Sequence, residues 1–366
     1  YAPAMIETAL GRTFAAHRGP HLLTLAQDAL ATAGSALEPD GGAHDPTGRA
    51  LRRVATIPSL VVAVLAQNTP GLAIAPAFQS LALGCPIVLK PASGEPHFAA
   101  RLADSIAEVD DDLGAACAAV EWKGGTGELE AVLLAAATRV VAYGSAATMA
   151  ALRARVGERL VACGPRSSIA VVARADPTAI AAIAAALGRA VAFLDQRGCL
   201  SPQSVLVDRG VDAAALAEAL AAALRALERE WPRRRLAAFR RAVDEAEAEA
   251  LAGRVRALHG GGAEPFAVVL EHGPALRATP LDRFVRVHPF DGAAGLADAL
   301  RPLTGSLECV GLECDASERA ALERAALEAG AARVCAVEGM QGPPAAWDPG
   351  RRLPLPGPRS WGTLER

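Results

Sequence analysis

Three residues in this chain could do chemistry where they stand: a cysteine after an alanine-rich helix, an asparagine after an apolar run, and a lysine ending another. Cys199 lies in "DQRGCLSPQ", ahead of a short β-like run. A thiolate on an exposed turn is a nucleophile, whereas most free cysteines are inert packing groups, and spacing alone leaves both readings open. Asn68, in "AQNTPGLAIAP", can donate its amide to charge developing on a substrate oxygen, or it can cap the helix that follows. Lys90, in "IVLKPASGEP", ends a strand at the edge where parallel sheets bind ligands. It and Lys123 are the only lysines among 366 residues, so an ammonium at this place suggests a specific requirement.

Two glycine-rich junctions accompany them. "EWKGGTGELEAVLL" and "VVAYGSAATM" each join a strand to a helix through small residues. Such junctions can hold phosphate on a helix N-terminus, and capping accounts for them equally well. The basic run "RRRLAAFRR" (233–241) reads as a solvated helix face. The seven histidines form no HxxxH or HExxH pattern, so no metal site is expected.

These residues need a scaffold, and the chain supplies an alternating one. Runs at 59–67, 86–91, 116–122, 139–145, 160–165 and 167–174 read as buried strands, separated by alanine-rich helical stretches. That alternation predicts an α/β fold with a doubly wound, largely parallel sheet. A long helix is expected over 177–196. After it the texture changes to "SVLVDRG", two charged helices (Val211–Glu230 and Pro232–His259), and strands in "FAVVLEHG", "FVRVHPF", "LECVGLE" and "ARVCAVEG". The expected division is an α/β domain over 1–195, rejoined by a C-terminal arm at 339–366, and a second α/β domain over 196–338.

Composition narrows the setting. Net charge is −3, which gives no pull toward nucleic acid. Seven cysteines without a CxxC pair argue for a reducing, cytoplasmic compartment. No charge occurs from Val54 to Leu89, but Pro58, Pro70, Pro76 and Pro86 punctuate the stretch, so strand–turn–helix–strand is expected rather than a membrane span. The N-terminus lacks a signal-peptide layout.

Taken in order, the motifs resemble the aldehyde dehydrogenase superfamily, and within it the acyl-CoA reductases of the LuxC type. "QNTPG" places Asn68 where that family has its oxyanion asparagine. Lys90 in "LKPASGEP" resembles the family's cofactor lysine, and Gly144 and Ser145 in "VVAYGS" resemble its nicotinamide-side turn. "DQRGCLSPQ" is similar to the nucleophile signature DQxxCxSPQ, and "GMQGPPAAW" to the subgroup's ending. The resemblance covers 60–347. It implies that Cys199 is the nucleophile, Asn68 the oxyanion donor, and Lys90, Gly144 and Ser145 contacts for NADPH. It also implies that the domain over 1–195 binds the cofactor and the domain over 196–338 is catalytic. The tail "WDPG" and the 67 residues before Asn68 depart from the pattern, which touches oligomer contacts and the acyl channel. Aldehyde-oxidising relatives carry a water-activating glutamate where this chain has Ala162 and Cys163 in "VACGPRSS". The implied activity is reduction of an acyl-CoA or acyl-protein thioester to an aldehyde, in a possible homo-oligomer. A cysteine acyltransferase or thioesterase, and a catalytically silent subunit of an acyl-reducing assembly, stay open beside it.

Overall fold

β-branched and alanine-rich runs become parallel strands here because helices cover both faces of each sheet. The computed structural model describes residues 1–20, 51–52, 58–125, 127–174, 176–233, 237–343 and 362–363. The chain forms two units, one of Tyr1–Gly11 with Arg166–Pro343 and one of Arg12–Pro165 with Pro344–Arg366. Helix α1 (Pro3–Ala16) opens the chain.

The smaller sheet has five parallel strands: β1 (Val61–Val64), β2 (Ile87–Lys90), β3 (Cys117–Ala119), β4 (Arg139–Tyr143) and β5 (Leu160–Cys163). They lie in the order β3-β2-β1-β4-β5. Winding reverses between β1 and β4, which opens a crevice at the carboxyl ends of the strands. Helices α2 (Ile74–Ala82), α3 (His97–Val109), α4 (Asp111–Ala115), α5 (Glu128–Ala136) and α6 (Ala146–Val156) connect them. One face packs Ala77, Ile87 and Leu89, and the other Val62, Leu134, Val140 and Leu152. From Pro58 to Leu89 the uncharged stretch folds as the expected strand–turn–helix–strand, with 54–57 outside the described residues.

The larger sheet has seven strands. They are β6 (Ser167–Ala173), β7 (Pro202–Asp208), β8 (Ala257–Gly260), β9 (Ala267–Leu270), β10 (Phe284–Phe290), β11 (Leu307–Cys314) and β12 (Arg333–Cys335). The order is β12-β11-β6-β7-β10-β9-β8, all parallel except β8. Helices α7 (Ile180–Ala192), α8 (Ala213–Leu227), α9 (Ala237–Leu251), α10 (Gly292–Leu300) and α11 (Ala316–Glu328) cover it. The segment Pro177–Gln196 is long and apolar enough to cross a membrane, yet Leu187, Ala190 and Val191 are buried in this unit's core.

Three sequence expectations are corrected. The units divide between Pro165 and Arg166, not at 195, because β6 and α7 share a core with β7. The helix read over 177–196 ends at Ala192, where the next residues turn left-handed: Leu194, Asp195 and Gln196 have φ of 51°, 48° and 64°. The helix read to His259 stops at Leu251, since Gly253 (φ 67°) turns the chain and 257–260 pair antiparallel with β9. Most of the arm 339–366 lies outside the described residues. Its Gly362–Thr363 pair antiparallel with Leu51–Arg52.

Candidate active site

Of the seven cysteines, Cys199 alone is exposed; the other six are buried or half-buried. Burial pushes the Cys85, Cys117 and Cys314 thiols up, away from the thiolate form. Cys309 and Cys335 face each other at 3.6 Å, and donation from the Cys309 thiol lowers Cys335. Cys199 sits in the turn between α7 and β7. That turn is pinned from several sides. Ser168 Oγ donates to the Cys199 carbonyl at 2.6 Å, and Gln196 Nε2 to the Pro202 carbonyl at 3.0 Å. Gln341 Nε2 donates to Ser201 Oγ at 3.0 Å and to the Ala190 carbonyl at 2.7 Å. A Cβ on Gly198 would meet Ser201 Oγ at 3.3 Å, a tight contact that the hydroxyl would have to yield to. Gln203 braces β6, accepting from Ser167 Oγ and donating to the Arg166 carbonyl.

In the five-stranded unit Asn68 lies in the turn after β1. The capping alternative does not hold for α2, whose N-cap is Ala73 without a side-chain cap. Lys90 closes β2 and lines an open cleft of about 320 Å³ with Val64, Trp122, Gly125, Thr148 and Arg155. The residue is 8% exposed, and its ammonium makes no hydrogen bond or ion pair among the described residues. Its one partner is the Trp122 ring, 5.9 Å from Nζ to the centroid. An ammonium so placed is suited to an anion.

The glycine turn beside it is built by a carboxylate. Glu130, 5% exposed, accepts from the Gly125 N–H at 2.8 Å and from Arg155 at 2.9 Å. Gly127 has φ 106°, which only glycine adopts without strain, and a Cβ on Gly124, Gly125 or Gly127 would point into open space. Ser145 caps α6 through Thr148 N at 3.2 Å, and Gly144 N donates to the Cys163 carbonyl at 3.4 Å. Ser145 therefore has a capping role, one turn from the cleft residue Thr148. Space, exposed backbone and an ammonium without an ion-pair partner among the described residues, at the switch point of a doubly wound sheet, fit a dinucleotide.

The order of these parts along the chain decides the family, since the LuxC acyl-CoA reductase model matches residues 52–353. The chain belongs to the LuxC acyl-CoA reductase family. No curated protein matches the sequence. Among solved structures, an NAD-dependent benzaldehyde dehydrogenase from Corynebacterium glutamicum is 17% identical, with a TM-score of 0.60 over 95% of this chain and 81% of that one. Lactaldehyde dehydrogenase from Escherichia coli is 17% identical, with a TM-score of 0.59 over 92% and 79%. The Δ-pyrroline-5-carboxylate dehydrogenase from Mycobacterium tuberculosis is 19% identical, with a TM-score of 0.59 over 87% and 63%. The chain thus spans less than two thirds of the length of the last of these structures. At such identities the likeness shows the fold, and this LuxC-family chain has the aldehyde dehydrogenase fold.

Several site residues leave little trace in the sequence. Ser168 and Gln341 reach the Cys199 turn from segments distant in sequence. Glu130, three residues after Gly127, has the spacing of a helix-capping carboxylate, which is the one readable signal among them. Arg233, read as part of a solvated face, is 9% exposed, donates to the Pro265 carbonyl and stacks 4.2 Å from the Phe239 ring centroid. Residues 234–236 of that run lie outside the described residues. Among the described residues no group of three or more metal-ligating side chains occurs.

Proposed function

We propose that this LuxC-family protein reduces an acyl thioester, acyl-CoA or acyl-protein, to the aldehyde with NADPH through an acyl group carried on Cys199. The observation that carries the reading is the exposure of this one thiol, within the signature DQRGCLSPQ, on a turn held by Ser168 and Gln341.

The Cys199 thiolate attacks the carbonyl carbon and forms a new C–S bond. The amide of Asn68 donates to the oxygen as it gains charge, a contribution of about 3 kcal/mol per donor in comparable sites. The old C–S bond then breaks, and a leaving thiol with a pKa near 8.5 needs little acid help. When bound, the nicotinamide cofactor supplies a hydride. Lys90, Gly144 and Ser145 are assigned to hold it, with Lys90 offering its ammonium to a phosphate. Hydride on the acyl carbon leaves a thiohemiacetal on Cys199, whose collapse releases the aldehyde and restores the thiolate. One thioester, one NADPH and one proton give one aldehyde, one thiol and NADP⁺. Neither Ala162 nor Cys163, at the end of β5, offers a carboxylate to activate water, so the acyl-enzyme waits for hydride. The preference for NADPH is supported by Lys90 and Arg155 sharing one cleft with a single carboxylate, Glu130.

The test mixes protein, a fatty acyl-CoA and NADPH. Thiol release matched by NADPH consumption is expected, with an acyl adduct on Cys199 when NADPH is omitted. Cys199→Ser should lower turnover by on the order of 10³-fold or more. Sustained thiol release without NADPH favours the acyltransferase or thioesterase reading. Full reductase activity in Cys199→Ser would overturn the assignment.

A further inference from the structure

Two runs of three consecutive non-glycine residues adopt left-handed φ in the seven-stranded unit. Leu194, Asp195 and Gln196 precede the Cys199 turn, and Leu281, Asp282 and Arg283 (φ 63°, 61° and 62°) precede β10. A residue with a Cβ resists this conformation, and single visits rather than runs are usual. Such strain persists only where the surroundings over-determine it.

Here the two runs determine each other. Asp282 N donates to the Asp195 carbonyl at 3.1 Å. Arg197 grips Asp282 with two hydrogen bonds, Nε to Oδ1 at 2.7 Å and a terminal nitrogen to Oδ2 at 3.2 Å. Arg283, 1% exposed, donates to Asp195 at 3.0 Å, Glu228 at 3.0 Å and the Trp231 carbonyl at 2.8 Å. Arg283 thus pairs with Asp195 across the two runs, and Arg197, the residue after the first run, holds Asp282 of the second, each partner 85 or more residues away. The two runs also border neighbouring parallel strands, β7 and β10. Without the clasp, α7 has every reason to continue. The residues from Phe193 to Gln196 are ordinary helix formers, and the right-handed conformation is their default.

We infer that Asp195, Arg197, Asp282 and Arg283 are positioning residues that stop α7 at Ala192 and thereby present the Cys199 thiol. The inference rests on the reading of Cys199 as nucleophile only for its effect on turnover. Its effect on the thiol stands apart from catalysis.

The test compares the native protein with Asp282→Asn and with Arg197→Gln, which keeps the inference falsifiable should the first fail to fold. Cys199 carboxamidomethylation by iodoacetamide is followed by mass spectrometry, with half-buried Cys314 of the same unit as internal reference. The expected result is a roughly fivefold slower Cys199 reaction relative to Cys314 and about a tenfold lower kcat, with acyl-CoA KM within about threefold. Adding Leu281→Gly to Asp282→Asn should restore most of both, since glycine removes the steric penalty that the lost ion pair had opposed. A purely electrostatic or general stability role predicts no such glycine rescue. An unchanged Cys199-to-Cys314 ratio in both single variants would overturn the clasp, whatever Cys199→Ser does to turnover. If instead Cys199→Ser stays active while the ratio falls, the clasp stands and the nucleophile assignment fails.

Discussion

The turns that carry the candidate chemistry are built differently in the two units. In the five-stranded unit they are glycine and small residues, with a Cβ position that meets open space and a lone ammonium facing a cleft. In the seven-stranded unit the turns hold leucine, aspartate, glutamine and arginine in left-handed conformations, and ion pairs with one buried partner each enforce them. The first arrangement leaves room for a ligand to complete the polar contacts. The second completes them internally and leaves one thiol exposed. The contrast implies that substitutions in the smaller unit should act mainly on ligand affinity. Substitutions in the larger one should act on stability and on the thiol.

The largest effect expected is on stability, in a second enclosed charge network of the larger unit. Glu271, 5% exposed, pairs with Arg286, itself 7% exposed, and with Arg277 at 3.2 Å; Glu249 also pairs with Arg277. Removing the shared carboxylate in Glu271→Ala leaves the Arg286 guanidinium only its longer contact with Glu249, at 3.8 Å. Breaking one partner of a buried pair costs about 3–5 kcal/mol. Urea titration should show that loss as a lower midpoint with an unchanged slope. A loss under about 1 kcal/mol would mean that the network is effectively solvated, as an exposed pair is.

Lys90→Met tests the other half of the comparison. The ammonium has no ion-pair partner to lose among the described residues, so the melting temperature should hold or rise. A charge-assisted hydrogen bond to a cofactor phosphate contributes about 1.5–3 kcal/mol, so NADPH KM should rise by about 10- to 100-fold. Cys199 alkylation should not change. A variant that unfolds while its cofactor KM is unaltered would put Lys90 in the scaffold instead.

How much of this was legible in the sequence follows the same division. The parallel strands of both units announce themselves as β-branched runs, and Cys199, Asn68 and Lys90 stand out by residue type and position. The boundary at 165/166 does not. "VACGPRSSIA" passes from β5 to β6 through three residues, and nothing local says that the two strands enter different sheets. The four-residue strand β8 is hidden because it follows a helix with only a glycine turn between them. The left-handed runs are invisible for a deeper reason. Leucine and glutamine carry no left-handed preference, so their conformation is set by ion pairs that close 85 or more residues away. Glycine turns are local decisions written in local residues, and clasped turns are not.

The smallest predicted effect is a pH dependence that belongs to the enclosed charge of the larger unit. His288 on β10 is fully buried, its Nδ1 is 3.3 Å from the Gly273 carbonyl, and Nε2 has no partner among the described residues. With Nδ1–H donating to that carbonyl, a second proton would put an N–H at Nε2 where no acceptor waits. Burial first, then Arg286 and Arg277 nearby, hold the ring below its ordinary value of 6.5, against the Gly273 contact and Glu271, which pull upward. The unfolded chain then binds the proton that the folded one refuses. The stability His288 permits is complete above about 6.5 and is lost as pH falls through the lowered folded value. Melting temperatures taken between about pH 7.5 and 5 should decline on the acid side. His288→Gln should flatten part of that decline while leaving the high-pH value lower by less than about 2 kcal/mol. An equally steep decline in the variant would place the acid sensitivity in the paired carboxylates instead. Of these, Glu249 is held low by Arg277 and loses its contribution only as pH falls through that lowered value.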